Sequence, residues 1–230
     1  MLEELKAAVC SANKQLKELG LVILTWGNVS ARDFQTNYVV IKPSGIPYET
    51  MTPNDMVVTD KEGNVIEGNL RPSSDLRTHL ALYNAYPTIG SIVHTHSRWA
   101  TIWAQMGESI PPYGTTHADD FFGFIRCTRD LTPDEIKANY EENTGKVIVE
   151  CIGEDLAKQY GVLVKNHGPF VWEGDPEKAV EKALVLEEVS MMAWYTRMAS
   201  AQYSAIITDE LMRKHFDRKH GKNAYYGQKK

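Results

Sequence analysis

The amino-acid sequence predicts an α/β fold with a central, mostly antiparallel sheet flanked by helices. Short apolar runs with strand character alternate irregularly with longer segments of helical period, which favours a mixed sheet over a regular parallel one. Two of these runs flank Glu62-Gly63, a pair typical of a hairpin turn. No internal repeat, low-complexity stretch or linker divides the chain, so residues 1–230 are predicted to form a single domain.

Helical segments are marked by apolar residues at intervals of three and four and by capping residues at their starts. Leu5, Val9 and Leu16 follow that spacing in the first segment, which Gly20 ends. Helices are therefore predicted over residues 2–19 and 76–86, from Thr132, from near Glu154, from Pro176 and over residues 208–220.

Strands are predicted where short apolar runs end at glycine, proline or polar turn residues. They cover residues 21–25, 38–41, 56–59, 64–67, 89–96, 147–151 and 161–165. Residues 117–124, which are rich in aromatic and acidic side chains, are expected to form a loop.

The composition restricts the classes of function. The net charge of -5 disfavours nucleic acid as a partner, since binding to that polyanion depends on clustered Lys and Arg. The chain has no run of about 18 apolar residues, and Glu3 and Glu4 stand where a signal peptide carries basic residues. We therefore expect no membrane contact and a cytoplasmic location, with the three cysteines reduced.

Histidines at strand ends indicate a metal site. His94-Thr95-His96 ends the strand predicted over residues 89–96, and alternate side chains of a strand share a face. His167 ends another predicted strand, just before Gly168-Pro169, a pair that suits a tight turn. A lone His-x-His is more often an ordinary surface pair, but three such histidines suit a catalytic divalent ion with an open coordination position. Asp75, at a predicted helix start, is a candidate fourth ligand, while His79 is expected to be structural.

Three short segments have the chemistry of an anion site. They combine a cation, hydroxyl groups and a helix N-terminus, and are Gly27-Asn28-Val29-Ser30, Lys42-Pro43-Ser44-Gly45 and Ser73-Ser74. Each alone is weak, because Ser-Gly is usually a turn and Ser-Ser before a helix is usually a cap. The chain has no Walker-type loop or dinucleotide glycine motif, so a small phosphomonoester is a better candidate than a nucleotide.

These segments belong to an ordered set of motifs that spans nearly the whole chain. The set is Leu24-Thr25-Trp26-Gly27-Asn28-Val29-Ser30, Ile41-Lys42-Pro43-Ser44-Gly45, Pro72-Ser73-Ser74-Asp75, His94-Thr95-His96-Ser97, Gly114-Thr115-Thr116-His117-Ala118-Asp119, Asn166-His167-Gly168-Pro169 and Ala224-Tyr225-Tyr226-Gly227-Gln228. Together they resemble the class II aldolase and epimerase family, and within it the L-ribulose-5-phosphate 4-epimerases. The resemblance implies a three-layer α/β/α fold and an isomerase that interconverts L-ribulose 5-phosphate and D-xylulose 5-phosphate in arabinose or ascorbate breakdown.

The resemblance also implies roles for individual residues. Zinc, or another divalent ion such as manganese or cobalt, would be held by the set Asp75, His94, His96 and His167. Contacts to the substrate and its phosphate are implied for Asn28, Lys42, Ser44, Gly45, Ser73, Ser74 and Thr115. Asp119 and Tyr226 match the epimerases' acid–base pair, with Glu141 and His215 in support. The family's sugar-phosphate aldolases carry Glu where this chain has Asp75, which favours the epimerase branch.

The family forms fourfold-symmetric tetramers with active sites between neighbouring subunits. The resemblance therefore implies a homotetramer in which Tyr226 and His215 come from the adjacent chain. The connection over residues 151–161 looks shorter than in the epimerases, which is expected to trim a surface loop or alter the subunit contact.

Retro-aldol chemistry is the expected route. The C4 proton of the pentulose phosphate is not acidic, since the carbonyl lies two carbons away, and the chain shows no site for a redox cofactor. Cleavage between C3 and C4, followed by re-addition to the other face of the aldehyde, avoids removing that proton. One of Asp119 and Tyr226 would take the C4 hydroxyl proton, and the other would protonate the new alkoxide.

Three alternatives stay open on the sequence alone. A sugar-phosphate aldolase of the fuculose-phosphate type would share the metal and phosphate sites. A non-catalytic scaffold with this fold, like the adducin head, would be expected to lose the histidines, which are present. A zinc hydrolase would need a His-Glu-x-x-His helix or a similar signal, which the chain lacks.

Overall fold

The computed structural model describes residues 2–200 and 205–227. Their strands are β1 (Asn28–Arg32), β2 (Val39–Ile41), β3 (Val57–Thr59), β4 (Val65–Glu67), β5 (Ser91–His94), β6 (Gly161–Val164) and β7 (Gly168–Glu173). They form one seven-stranded sheet in the order β4-β3-β2-β1-β5-β7-β6. Every neighbouring pair is antiparallel, which confirms the predicted sheet type.

Helices cover both faces of the sheet. They are α1 (Glu3–Glu18), α2 (Leu76–Ala85), α3 (Arg98–Met106), α4 (Thr115–Ala118), α5 (Pro133–Ile152), α6 (Pro176–Ala199) and α7 (Asp209–His220). Short 3-10 turns occupy Pro53–Asp55 and Asp155–Lys158. None of the helices within these described ranges combines the length and the apolar character needed to cross a membrane.

Two hydrophobic cores lie on opposite faces of the sheet. Successive strand residues alternate between them, so Val40 packs into one core while Val39 and Ile41 pack into the other. The first core contains the buried faces of α1, α3 and α6, and the second contains those of α2 and α5. This arrangement is the three-layer α/β/α architecture that the resemblance implies.

Local capping chemistry explains where the long helices begin. The Thr132 hydroxyl accepts from the Glu135 amide at 3.2 Å, and the Glu135 carboxylate accepts from the Thr132 amide at 2.7 Å. Asp175 caps α6 by accepting from the Lys178 amide at 2.9 Å. Both predicted helix starts are therefore confirmed, and the β3–β4 hairpin is confirmed as well.

Residues 21–25 are not the strand that their apolar side chains predict. Leu21 and Val22 are buried, but Leu24 adopts a left-handed conformation with φ of 54°, and the Trp26 amide donates to the Ile23 carbonyl at 3.0 Å. The chain therefore turns here, and the strand begins at Asn28 instead.

Residues 147–151 are helical and not a strand. They continue α5, in which Val147, Ile148 and Ile152 are buried. The β-branched composition favoured a strand, but Ile148 and Ile152 pack as one helical face in the second core, together with residues of α2.

The boundaries of the other helices and strands differ less from the predicted ones. The strand predicted over 89–96 is shorter and ends at His94, and β7 replaces the turn expected at Gly168-Pro169. The loop predicted over 117–124 begins inside the one-turn helix α4, and the helix expected near Glu154 is a 3-10 turn. Gln228, the last residue of the C-terminal motif, lies outside the described residues.

Candidate active site

Three imidazoles converge at one end of the sheet. His94 is the last residue of β5, His96 follows it by two residues, and His167 lies in the turn between β6 and β7. Their ring centroids are 4.7 to 5.0 Å apart in every pairing. The turn depends on Asn166, whose φ of 62° lies in the left-handed region that Asn tolerates better than most residues. The structure therefore brings together the three predicted histidines.

The donor atoms of these histidines fit a divalent ion. One nitrogen from each ring lies within 4.8 Å of the others, and the Nε2 atoms of His94 and His96 are 3.1 Å apart. His94 Nδ1 donates to the Pro169 carbonyl at 3.0 Å, which leaves the lone pair on Nε2. Burial lowers the pKa of His96 and of His167 below the ordinary value, which favours the neutral, ligating form. Three neutral imidazoles suit zinc or a similar ion.

Asp75 lines the same cavity as the three histidines. Among the described residues, however, the group of donor atoms close enough to share one ion contains only the three histidines. Asp75 Oδ2 accepts from Asn28 Nδ2 at 2.7 Å, and Asp75 occupies the N-cap position of α2. Its role as a fourth ligand therefore stays a prediction.

The histidines share a cavity of about 400 Å³ with the predicted phosphate segments. Its lining includes Asn28, Lys42, Ser44, Gly45, Ser73, Ser74, Asp75, Tyr140 and Glu141. A larger cavity of about 820 Å³ lies between the β3–β4 turn, α2 and α5, but no histidine lines it. The smaller cavity is therefore the candidate active site, because metal donors and anion-binding groups meet in it.

Buried polar atoms in the cavity have capacity for a ligand. Asn28 Oδ1 is buried without a hydrogen-bond partner among the described residues, although Asn28 Nδ2 donates to Ser73 Oγ at 3.1 Å. Lys42 is 2% exposed, and burial lowers its pKa to about 8. A buried polar group is normally paired, so an unpaired oxygen in the same cavity as a buried cation indicates a site that a polar ligand completes.

Gly27 is the residue that lets β1 approach β5 next to the histidines. Its φ is 100°, and a Cβ at this position would lie 2.8 Å from the His94 carbonyl oxygen. Any larger residue would push the Asn28 segment away from the metal donors.

A second cluster surrounds Asp119, at the end of α4. Its Oδ1 accepts from His215 Nδ1 and from Arg218 Nε, both at 2.9 Å, and its Oδ2 accepts from Arg218 Nη2 at 2.7 Å. Burial acts to raise the pKa of Asp119, but the hydrogen bonds from Arg218 and His215 hold it below the ordinary value. The Arg218 guanidinium also lies 4.9 Å from the ring centre of Tyr226, which is exposed.

Neighbouring ion pairs hold α7 in place. Asp120 is paired with Lys182 at 2.7 Å and with Lys219 at 2.8 Å, and both Asp120 and Lys182 are buried. Asp120, which follows α4, thus joins Lys219 of α7 to Lys182 of α6, and this network helps to fix α7 against α4 and α6.

Within one chain the two clusters are separate. Thr115, Asp119, His215 and Tyr226 do not line the histidine cavity, whereas Glu141 does. Thr115 begins α4 and lies one turn from Asp119, and Asp119 contacts His215 of its own chain. The substrate contact of Thr115, and the supply of Tyr226 and His215 by an adjacent chain, stay predictions.

Sequence reasoning missed two residues of these clusters. Tyr140 lines the cavity next to Glu141, and its hydroxyl lies 3.3 Å from His167 Nδ1. Arg218 was one of several cations in a basic C-terminal segment. For Tyr140, the only sequence signal of a site residue is its position next to Glu141. No local sequence signal distinguishes Arg218 from the other cations near it.

Comparison with known proteins gives the same assignment as the motifs. The family model described as "Class II Aldolase and Adducin N-terminal domain" matches residues 7–194. The L-ribulose-5-phosphate 4-epimerase UlaF of Salmonella paratyphi B is 56% identical over 229 residues, which cover 99% of this chain and 100% of that relative.

Solved structures share the fold. An L-fuculose 1-phosphate aldolase superposes with a TM-score of 0.79 at 25% identity, covering 94% of this chain and 95% of that one. The corresponding aldolase from Thermus thermophilus has a TM-score of 0.68 at 22% identity, covering 88% of this chain and 100% of that one. The resemblance seen in the motifs is confirmed: the chain belongs to the class II aldolase and adducin N-terminal domain family.

Proposed function

We propose that the protein is a metal-dependent epimerase that interconverts L-ribulose 5-phosphate and D-xylulose 5-phosphate. The observation that carries the proposal is the convergence of His94, His96 and His167 in the same cavity as the predicted phosphate segments. The relative that is 56% identical over the full chain bears the epimerase name, whereas the aldolase structure is only 25% identical. The similarity therefore favours the epimerase over the aldolase.

The cavity residues bind and orient the substrate in this proposal. Ser44, Ser73 and Asn28 hold the phosphate, with Lys42 adding a buried positive charge. A divalent ion held by the three histidines, with Asp75 beside them, would supply Lewis acidity that stabilises the negative charge developing as the C3–C4 bond breaks. Zinc is the ion that best suits a set of imidazoles, although manganese and cobalt are also compatible.

Proton transfer is assigned to Asp119 and Tyr226. Asp119, kept ionised by Arg218 and His215, takes or returns the C4 hydroxyl proton, and Tyr226 acts on the other epimer. These groups do not line the cavity of their own chain, so we propose a homotetramer in which each site combines the cavity of one chain with the Asp119 cluster of its neighbour. Glu141, at the cavity wall, has a supporting role.

We also propose that the 230 residues act as one domain, in the cytoplasm, in the breakdown of L-arabinose or L-ascorbate. The experiment that tests the activity is incubation of metal-stripped protein with L-ribulose 5-phosphate, with and without zinc, manganese or cobalt. We expect D-xylulose 5-phosphate only when metal is added. Full turnover after thorough removal of metal would contradict the proposal.

A class II aldolase of the fuculose-phosphate type is the second candidate, because the similar aldolase structure shares the fold. An aldolase releases its two fragments, whereas an epimerase must retain them until they rejoin. Release of an aldehyde in stoichiometric amounts would favour this candidate. A non-catalytic scaffold is disfavoured, since all three metal-binding histidines are present and converge.

A further inference from the structure

Tyr140 enters the cavity because α5 is kinked immediately before it. Asn139 has φ of -136° and ψ of 79°, which are not helical values, so α5 is two helical segments joined at this residue. The Thr144 hydroxyl donates to the Tyr140 carbonyl at 2.8 Å and holds the start of the second segment. A break of this kind within a helix has to be held by its surroundings, and here it is followed at once by Tyr140 and Glu141, which both line the candidate site.

The Tyr140 side chain contacts one of the three histidines. Its hydroxyl lies 3.3 Å from His167 Nδ1, and the two rings are inclined by 28° with centroids 6.3 Å apart. Tyr140 also lines the cavity that holds Asp75 and Glu141. The phenol therefore touches a metal-ligand candidate on one side and the substrate cavity on the other.

The direction of this hydrogen bond follows from the chemistry of the cluster. His94 and His96 approach each other through Nε2, and His94 Nδ1 is used by a carbonyl that can only accept. With His167 Nδ1 facing Tyr140, Nε2 is the nitrogen left to complete the set of donors. A neutral imidazole with its lone pair on Nε2 carries its hydrogen on Nδ1. His167 therefore donates to the phenol oxygen of Tyr140.

This polarity leaves the hydrogen of the Tyr140 hydroxyl available on the cavity side, because the bond from His167 uses only an oxygen lone pair. We propose that Tyr140 is a positioning residue with two contacts: it holds His167 as an Nε2 ligand, and it donates a hydrogen bond to an oxygen of the sugar phosphate. The second contact rests on the proposed function, whereas the first requires only that the cluster binds metal.

The test uses the full-length protein with Tyr140→Phe, which removes the hydroxyl and keeps the ring. Zinc affinity is measured by competition with a chromophoric chelator, and kcat and KM are then measured at saturating zinc. Removing the outer partner of a ligating histidine typically costs about 10- to 100-fold in metal affinity or activity. We expect zinc binding to weaken by about 10-fold or more, and kcat/KM at saturating zinc to fall by about 10-fold.

Tyr86→Phe is the matched control. Its hydroxyl donates to the Gly153 carbonyl at 2.9 Å, at the end of α5, and it does not line the cavity. This variant loses a phenol hydroxyl that contacts the same helix, so it should leave zinc affinity unchanged.

Zinc affinity of Tyr140→Phe within about twofold of the wild type would overturn the contact to His167, since loss of an outer partner costs more than that. Unchanged kcat/KM at saturating zinc would overturn the contact to substrate. Wild-type protein that binds zinc but does not epimerise L-ribulose 5-phosphate would contradict the proposed function instead, and the zinc measurement would still decide the role of Tyr140 towards His167.

Discussion

Arg218 holds the Asp119 carboxylate with two parallel hydrogen bonds, from Nε to Oδ1 at 2.9 Å and from Nη2 to Oδ2 at 2.7 Å. The same residue accepts a hydrogen bond from the Tyr226 amide at its carbonyl oxygen, at 3.0 Å, and its guanidinium lies against the Tyr226 ring. One residue of α7 thus connects both members of the proposed acid–base pair. The planar guanidinium suits this geometry, because it meets both carboxylate oxygens at once.

Replacing Arg218 by Gln should misplace the Asp119 carboxylate and raise its pKa. Loss of the guanidinium raises the pKa of Asp119 towards its ordinary value, so Asp119 becomes protonated at a higher pH than in the wild type. We expect kcat to fall by about 10- to 100-fold and the acidic limb of the pH–rate profile to move to higher pH. Arg213→Gln, on the same helix but packed against Phe122, is the control. An acidic limb that stays in place would show that Arg218 does not set the charge of Asp119.

Asp119→Asn should slow epimerisation by about 10²- to 10⁴-fold if Asp119 is an acid or base in the reaction. Bound zinc should not change, since Asp119 is not among the clustered metal donors. The two measurements are turnover and zinc per chain. Wild-type turnover in this variant would remove Asp119 from the mechanism.

Mixed chains should test whether each site is built from two subunits. His96→Asn loses a metal donor but keeps the Asp119 cluster, and Asp119→Asn does the reverse. Each variant alone should be nearly inactive. Co-assembled in equal amounts, they should regain up to about a quarter of wild-type activity, since about one neighbouring pair in four combines both intact parts. No recovery in verified mixed tetramers would place the complete site within one chain.

Stability should fall as the pH drops below about 6.5, partly because of His117. Burial lowers the pKa of His117 to about 4, and its Nε2 donates to the Gly123 carbonyl at 2.7 Å. Between the ordinary pKa of 6.5 and about 4 the unfolded chain therefore binds a proton that the folded chain does not. The free energy of unfolding falls by up to about 1.4 kcal/mol per pH unit from this residue.

Urea unfolding at about pH 7 and about pH 5, on either side of the ordinary histidine pKa, measures this slope. His117→Gln, which cannot titrate, should lose less stability over the same interval than the wild type. An equal loss in both proteins would show that His117 does not contribute in this window. Buried His79, whose pKa is also lowered by burial, acts in the same direction in both proteins.

The three histidines and the Gly- and Ser-containing segments that line the candidate cavity could be identified because their signals are local. His94 and His96 are two residues apart, and the phosphate candidates lie in short Gly- and Ser-containing turns. The contact between Asp119 and Arg218 joins residues 99 positions apart, so nothing in either segment indicates it. The position of Tyr140 depends on the kink at Asn139, and a regular helix would have placed it elsewhere.

The errors in the strands have the same origin. Residues 147–151 have the β-branched composition of a strand, yet they form part of the second helical segment of α5, where Ile148 packs in the core shared with α2. Conversely, β7 contains Pro169, which suggested a turn, although pairing with β5 and β6 makes the segment a strand. In both cases the contacts that the segment makes in the folded chain outweigh its local propensity.

Cleavage of the C3–C4 bond, with the C4 hydrogen left in place, is the step on which the proposed function depends. The most direct measurement is to convert L-ribulose 5-phosphate in deuterated water with zinc-loaded protein and to read C4 of the product by NMR. We predict D-xylulose 5-phosphate without deuterium at C4, because a retro-aldol step never removes that hydrogen. Deuterium at C4 would contradict the mechanism, since it requires direct deprotonation at that carbon.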